Sequence, residues 1–481
     1  MAESQKEHRV VIVGAGFAGF NAARELSRLI GNTTEIVVIS STDYFLYLPL
    51  MPQVAGGMIE PRHIRVELPR RLRKMRFVLG TVNHIDTQQK VVSWAGPEGT
   101  SGQVSYDRLV LTAGSVNKLL PIPGIADYAH GFRSIAEAIY LRDHIIRQLE
   151  LASVATDPEE RAARCTFVVV GGGYTGTEVT ASGQLLTSRL ARALPGLAGQ
   201  EIRWMLLDLA PRLLPELDPR LSKTAERVLR RRGVEVLTGE SVAEASDGYV
   251  QLTTGDKFVT RSLIWCVGVR ADPLMEGLDL ATNRGRLEVD AFMAVPGTAG
   301  VYACGDCAAV PDLTRPGQVC GMTAQHAERQ GTLVARNVAA SLGHGTARPY
   351  RHADLGFLVD LGGLAAAANP LHLPLSGPAA SAVTRLPPGR HARQPGPGAG
   401  RLDPERGHRP GSDIAQRDRR RIRPARRRQT ARLTRARRDP RAELERDLAP
   451  SAAAGMWSSS GTRARRTAVN ERVGRFAHHG R

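Results

Sequence analysis

The stretch RVVIVGAGFAGFNAARELSRLI, residues 9–30, runs from apolar residues into a glycine turn and on into apolar and small residues at helical spacing. That order predicts a strand, a tight turn and a helix. EIVVIS at 35–40 supplies a second strand, and the unit recurs at TFVVVGGGYTGTE (166–178), where an apolar strand again enters a glycine turn that opens a helix. IRWMLLD (202–208) stands where the second strand of that second unit belongs. Shorter strands are readable at YDRLVLTAG (106–114), SLIWCVGV (262–269) and GVYACGD (300–306). The pattern places the chain in the α/β class, with two Rossmann-like dinucleotide-binding units in one polypeptide.

Gly14, Gly16 and Gly19 spell G-x-G-x-x-G between the first strand and its helix. Glycine there permits the tight turn, lets backbone approach a pyrophosphate and allows close helix packing. One match is weak, because a glycine turn with no ligand has the same local sequence. A second match at Gly171, Gly173 and Gly176, in the same context, makes coincidence a poor account, and one nucleotide per turn is the economical reading. An acid at the end of a unit's second strand accepts a hydrogen bond from the adenosine ribose, and Asp208 stands there. Its carboxylate repels a 2′-phosphate, which favours NADH over NADPH. The corresponding strand of the first unit ends at Ser40, where a hydroxyl substitutes more weakly. In VYACGDCAAV (301–310), Asp306 follows a glycine at the end of an apolar strand, a placement that lets a carboxylate reach a flavin's ribityl hydroxyls.

GAGFAG, LVLTAGS, VVVGGGYTGTE, CVGVRADP and YACGDCAAV, in this order, resemble the flavoproteins with two dinucleotide-binding domains. Within that class, DYFLYLPLMPQVAGGMIEP (43–61) and TAQHAERQG (323–331) are similar to the type II NADH:quinone oxidoreductases. The resemblance covers residue 8 to about 385. It implies FAD on the first unit, with Ala113, Gly114, Gly305 and Asp306, and NADH on the second, with Gly268. It marks Pro49, Ala324, Gln325 and Gln330 as ring or quinone contacts and Glu178 as a nicotinamide neighbour, with Glu178 and Gln325 the catalytic candidates. The implied organisation is an FAD domain at 1–130 and 286–345, an NADH domain inserted at 131–285, and a C-terminal region starting at 346–385. The implied reaction is hydride transfer from NADH to FAD, then two electrons to a quinone, in a peripheral membrane protein that forms homodimers. Two alternatives stand beside it: another reductase of the same class, such as a sulfide:quinone or ferredoxin-type enzyme, and an impaired remnant that only binds nucleotide.

The net charge of +18 suggests nucleic acid or anionic lipid until it is located along the chain. Residues 390–481 hold 25 Arg, no Lys and 9 acids, so the tail carries +16 and the body +2. The segment from 386 is rich in Arg, Pro and Gly, with too little apolar material to offset the entropy of ordering it, and is expected to be disordered without binding nucleic acid specifically. Relatives continue past the equivalent of 385 roughly as Gly-Tyr-His-Leu and then Met-Pro-Gly-Asn-Arg before amphipathic membrane helices. Here the text is LPPGRHARQP (386–395), which suitable synonymous codons, read one base later, turn into Tyr-His-Leu-Ala-Ala-Met-Pro-Gly-Asn. Translation out of frame from about 386 therefore accounts for the tail and for its Arg-rich, Lys-free composition.

Five scattered cysteines fit a reduced compartment better than a disulfide framework. Cys304 and Cys307 form C-x-x-C around Gly305-Asp306, but small packing residues are the better reading, and no second pair at zinc-site spacing accompanies them, so no metal is expected. No apolar run reaches the roughly 18–20 residues of a membrane span. The expected location is the cytoplasm, peripheral on the inner face of the cell membrane.

Overall fold

The computed structural model describes residues 7–31, 34–353, 355–370, 374–377 and 380. The tail read as out of frame lies outside the described residues.

His8–Val13 is the central strand of a five-stranded parallel sheet with spatial order Val301–Ala303, Arg108–Leu111, His8–Val13, Thr34–Ser40, Arg76–Leu79. It pairs in register with both neighbours, Val10 opposite Ile36 on one side and Arg108 on the other. Layers cover both faces, so Val10, Val11 and Ile12 are wholly buried, which is why the strand reads as a continuous apolar run instead of an alternating one. Helix Phe17–Leu29 packs along helix Ala324–Ser341, and Gly331 permits the approach because a Cβ there would strike the Ala18 backbone. An antiparallel meander of Thr81–Asp86, Val91–Ala95 and Ser101–Ser105 completes this half.

The second half repeats the plan. Its parallel sheet runs Ala129–His130, Ser262–Trp265, Thr166–Val170, Arg203–Asp208, Val234–Thr238, with a meander of Val242–Ser246, Tyr249–Leu252 and Lys257–Val259. The helix after its glycine turn is Tyr174–Ala193, and Trp204 lies buried against Phe167 with its indole N–H donated to Thr187 Oγ1 at 3.0 Å. In both sheets the strand order reverses at the strand that feeds the glycine turn, the crevice where open α/β sheets hold ligands.

The chain crosses between halves twice, and the crossings pair as an antiparallel ribbon of Ser115–Asn117 with Val269–Ala271. The second crossing comes earlier than the expected boundary at 285. Met275 and Leu278 already belong to the core of the first half, while Ala129–His130 joins the second sheet ahead of 131. The polar run through Arg270, Ala271 and Asp272 carries no period that would have marked the return. A three-stranded antiparallel sheet of Leu358–Asp360, Ala366–Ala368 and Leu375–Ser376 follows the first half. Among the described residues no helix is long and apolar enough to cross a membrane.

Candidate functional site

Both glycine turns open onto one cleft of about 2260 Å³. A site for a drug-sized ligand occupies roughly 300–1,000 Å³, so there is room for two dinucleotides. The glycines divide the work in each turn. Gly14 at φ +91° and Gly171 at φ +107° hold left-handed conformations, and a Cβ on either would press on the carbonyl of Thr112 or Cys266. Gly19 and Gly176 lie behind the cleft wall, each so close to the first glycine's carbonyl oxygen that a side chain would collide with it. Gly16 and Gly173, each just ahead of a helix, have extended backbone, and no atom lies within 4 Å of where a Cβ would stand. Nothing among the described residues requires glycine at those two positions. The open space faces the cleft at a helix N-terminus, where backbone N–H groups and the helix dipole suit a pyrophosphate. That open approach is the feature a ligand-binding turn needs, and both halves have it.

Pro49, Ala113, Gly114, Gly268, Gly305 and Ala324 all line the cleft. Asp208 lines it too, its carboxylate accepting from the Gly172 N–H at 2.5 Å and the Ala210 N–H at 2.7 Å. Arg212, just beyond, donates to the carbonyls of Leu214, Pro215 and Leu217 and so offers no free fork to a 2′-phosphate. In the first half, Ser40, Ser41 and Thr42 stand together on the cleft wall, a run of hydroxyls in place of the missing acid. Asp306 presents its carboxylate to the cleft beside Ser115 and Arg133, with Ser115 Oγ donating to Oδ2 at 2.6 Å.

Glu178 sits one turn into the second half's helix and accepts from the Asp360 N–H at 2.8 Å. Burial pushes its carboxyl up to about 8; the backbone hydrogen bond works against this, and the nearby Asp360 carboxylate adds to it. Asp360 in turn accepts from Gln53 Nε2 at 2.9 Å. The three residues, through the Asp360 backbone and carboxylate, therefore join the second half, the C-terminal sheet and the first half along the cleft. Gln325 donates through Nε2 to the Gly356 carbonyl at 2.7 Å, while its Oε1, like that of Gln53, is a buried acceptor with no partner among the described residues. Orphaned acceptors on the wall and side-chain-free approaches at Gly16 and Gly173 fit a dinucleotide cofactor in the first half and a second dinucleotide opposite.

Gln330 departs from expectation. It is 1% exposed, does not reach the cleft, and its Oε1 accepts from the Gly305 N–H at 2.8 Å. It fixes the turn that aims Asp306 instead of meeting a quinone, because helix periodicity turns it inward from Gln325. Gln53, Asp360, Ser115 and Arg133 were not singled out from the sequence. Gln53 lay inside the quoted segment 43–61, and Ser134-x-x-Glu137, which caps helix Ile135–Val154, was the signal that could have drawn attention to Arg133. His326 and His352 also line the cleft, their rings 3.9 Å apart, with His326 Nδ1 at 3.0 Å from the Tyr350 hydroxyl; burial pushes His326 down to about 4.

Cys304 and Cys307 are free thiols with no exposure, packed in the first half's core, and burial raises both pKa values. Cys307 Sγ donates to the Leu111 and Cys304 carbonyls, each at 3.4 Å. Among the described residues no group of three His, Cys, Asp or Glu is arranged to hold a metal.

Two repeated dinucleotide units around one cleft define a pyridine-nucleotide-dependent flavoprotein oxidoreductase. Residues 8–331 match the family model described as pyridine nucleotide-disulphide oxidoreductase, and the chain belongs to that family, whose cofactor is FAD. Within it, the chain groups with the type II NADH:quinone oxidoreductases. It is 34% identical to the type II NADH:quinone oxidoreductase Ndh of Mycobacterium tuberculosis, covering 76% of this chain and 81% of that protein. It is 30% identical to the demethylphylloquinone reductase NdbB of Synechocystis, covering 79% and 90%. Among solved structures, NDH2 of Plasmodium falciparum in complex with NADH has the same fold, with a TM-score of 0.72 at 19% identity over 79% of this chain and 93% of that one.

Proposed function

We propose that the protein is a type II NADH:quinone oxidoreductase, using FAD to take a hydride from NADH and to pass two electrons to a membrane quinone without pumping protons. The observation that carries this is the single cleft onto which both glycine turns open, with Glu178 and Gln325 on its wall. FAD, when bound, supplies the hydride acceptor and the electron donor to quinone, and the protein supplies orientation and electrostatics. In this reading Gly14, Gly16, Ala113, Gly114, Gly305 and Asp306 hold the flavin nucleotide, and Gly171, Gly173, Asp208 and Gly268 hold NADH. Pro49, Ala324 and Gln325 shape the space at the ring.

The overall reaction, NADH + H⁺ + quinone giving NAD⁺ and quinol, takes up one proton. Glu178, with its pKa near 8, holds a proton at neutral pH and is the group we assign to deliver it. Gln53 and the Asp360 N–H fix the acid's surroundings. The exposed Leu355 and Leu358 on the cleft wall, with Leu364 nearby in sequence, support a peripheral attachment at the cytoplasmic face of the membrane, where quinone is found. The homodimer implied by the resemblance is tested by sedimentation of the FAD-loaded protein.

The deciding experiment is anaerobic addition of NADH to the FAD-loaded protein, with NADPH for comparison, followed by a short-chain quinone. Bleaching by NADH and recovery on adding quinone is the expected result. A flavin that stays oxidised under NADH, in protein that retains FAD, overturns the reading in favour of a nucleotide-binding remnant. Bleaching without recovery points to another acceptor within the same flavoprotein class.

A further inference from the structure

We propose that Arg133 is the positioning and charge-balancing residue of the flavin site: it holds Asp306 in place and offsets the charge with which that carboxylate would otherwise resist flavin reduction. This inference rests on the FAD reading above. A carboxylate is well suited to bind hydroxyls but badly suited to stand beside an electron carrier, because two-electron reduction makes a flavin more negative and a nearby anion opposes it. Asp306 is mostly enclosed, its side chain 14% exposed, so water screens it poorly.

The geometry around it is a closed network. Arg133 Nη2 donates to Ser115 Oγ at 2.5 Å and reaches Asp306 Oδ2 at 3.3 Å, Ser115 Oγ donates to the same Oδ2 at 2.6 Å, and Arg133 Nε donates to the Ser115 carbonyl at 3.3 Å. The guanidinium fork thus spans backbone, hydroxyl and carboxylate at once, which an ammonium does not. A single carboxylate holds the backbone of Arg133 itself: Glu137 Oε2 accepts from the N–H of Arg133 at 2.8 Å and of Ser134 at 2.6 Å. Glu137 Oε1 accepts from Asn117 Nδ2 at 3.2 Å, and Gly131 leaves space for that bond. Ser115 and Asn117 lie on one crossing between the halves, and Arg133 on the lead into helix Ile135–Val154 of the second half. A second cation near Asp306 is Arg286, which is buried and donates to the Cys320 carbonyl at 2.9 Å. Arg133 differs from it in lining the cleft.

The test is the midpoint potential of bound FAD, by dye equilibration, together with its dissociation constant, in wild type, Arg133→Gln, Arg133→Lys and Asp306→Asn. Arg133→Gln is expected to shift the reduced-to-oxidised ratio at least tenfold toward oxidised flavin, about 30 mV for a two-electron couple. Arg133→Lys keeps the charge but not the fork, so it is expected to hold the potential and to release FAD more readily. Asp306→Asn removes the anion and is expected to raise the potential, a readout that survives if Arg133→Gln does not fold. Equal potentials in wild type and Arg133→Gln, or no rise in Asp306→Asn, overturn the proposal. A wild-type protein that binds no FAD overturns the parent reading, a result distinguishable from either.

Discussion

Replacing Glu178 by Gln removes a proton-binding group from the cleft while keeping an oxygen that can accept from the Asp360 N–H. The folded-state pKa of about 8 stands against an ordinary 4.5 in the unfolded chain. Because the folded pKa is the higher one, the folded state binds a proton through this window that the unfolded state has lost. The resulting stability is full below about pH 4.5 and disappears as pH rises through 8. A displacement of that size is about 5 kcal/mol in total, of which roughly 3 kcal/mol falls between pH 6 and pH 9. For a folded body of this size that is about 3 °C in Tm. Calorimetry of FAD-loaded wild type and Glu178→Gln at pH 6, 7.5 and 9 reads the difference directly. Wild type is expected to lose about 3 °C relative to the variant across that range. In steady state with a quinone acceptor the variant is expected to lose about a hundredfold in kcat, the scale of one general acid, together with any basic limb near pH 8. Parallel Tm curves for the two proteins would refute the assignment of a raised pKa to Glu178.

Gly173→Val is expected to leave folding and FAD content intact while abolishing bleaching by NADH, because its Cβ points into open space where the second dinucleotide would lie. Gly176→Val, three residues on, is expected to yield no soluble protein, since its side chain would enter the Gly171 carbonyl; soluble yield and flavin absorbance distinguish the two. Asp208→Ser is expected to reduce the NADH-over-NADPH ratio of kcat/KM about tenfold, corresponding to roughly 1.4 kcal/mol, and an unchanged ratio removes Asp208 from nucleotide selection. Resequencing the gene across codons 380–396 is expected to reveal a one-base displacement, and an intact frame there refutes the out-of-frame account of the tail.

The two dinucleotide units were readable because their pattern is local: strand, glycine turn and helix lie within about twenty residues, even though Gly14 and Gly171 answer to the distant carbonyls of Thr112 and Cys266. Asp208 and Asp306 were readable for the same reason, each marking the end of an apolar strand. The rest of the cleft was not. Gln53 and Asp360 are 307 residues apart in the chain and meet only because the C-terminal sheet folds back against both halves. Arg133 looks like an ordinary surface arginine until the crossing brings Ser115 beside it. Gln330 was misplaced for the opposite reason: a resemblance gives residue identity without the helical phase, and five residues beyond Gln325 the helix has turned the side chain into the core.

The ribbon of Ser115–Asn117 with Val269–Ala271 gives the second half a single stem. In an antiparallel pair, opposed Cα atoms stand about 4.5–5.5 Å apart, so the chain leaves and returns at nearly one point. A short turn joining Asn117 to Val269 could therefore close the backbone across the stem, although Met51, Val54 and Ile64 share a core with the second half and Arg133 would leave with it. The electron-donor specificity of this protein is, in that sense, carried on a covalent loop of the first half, closed at one point of the backbone and held there by packing.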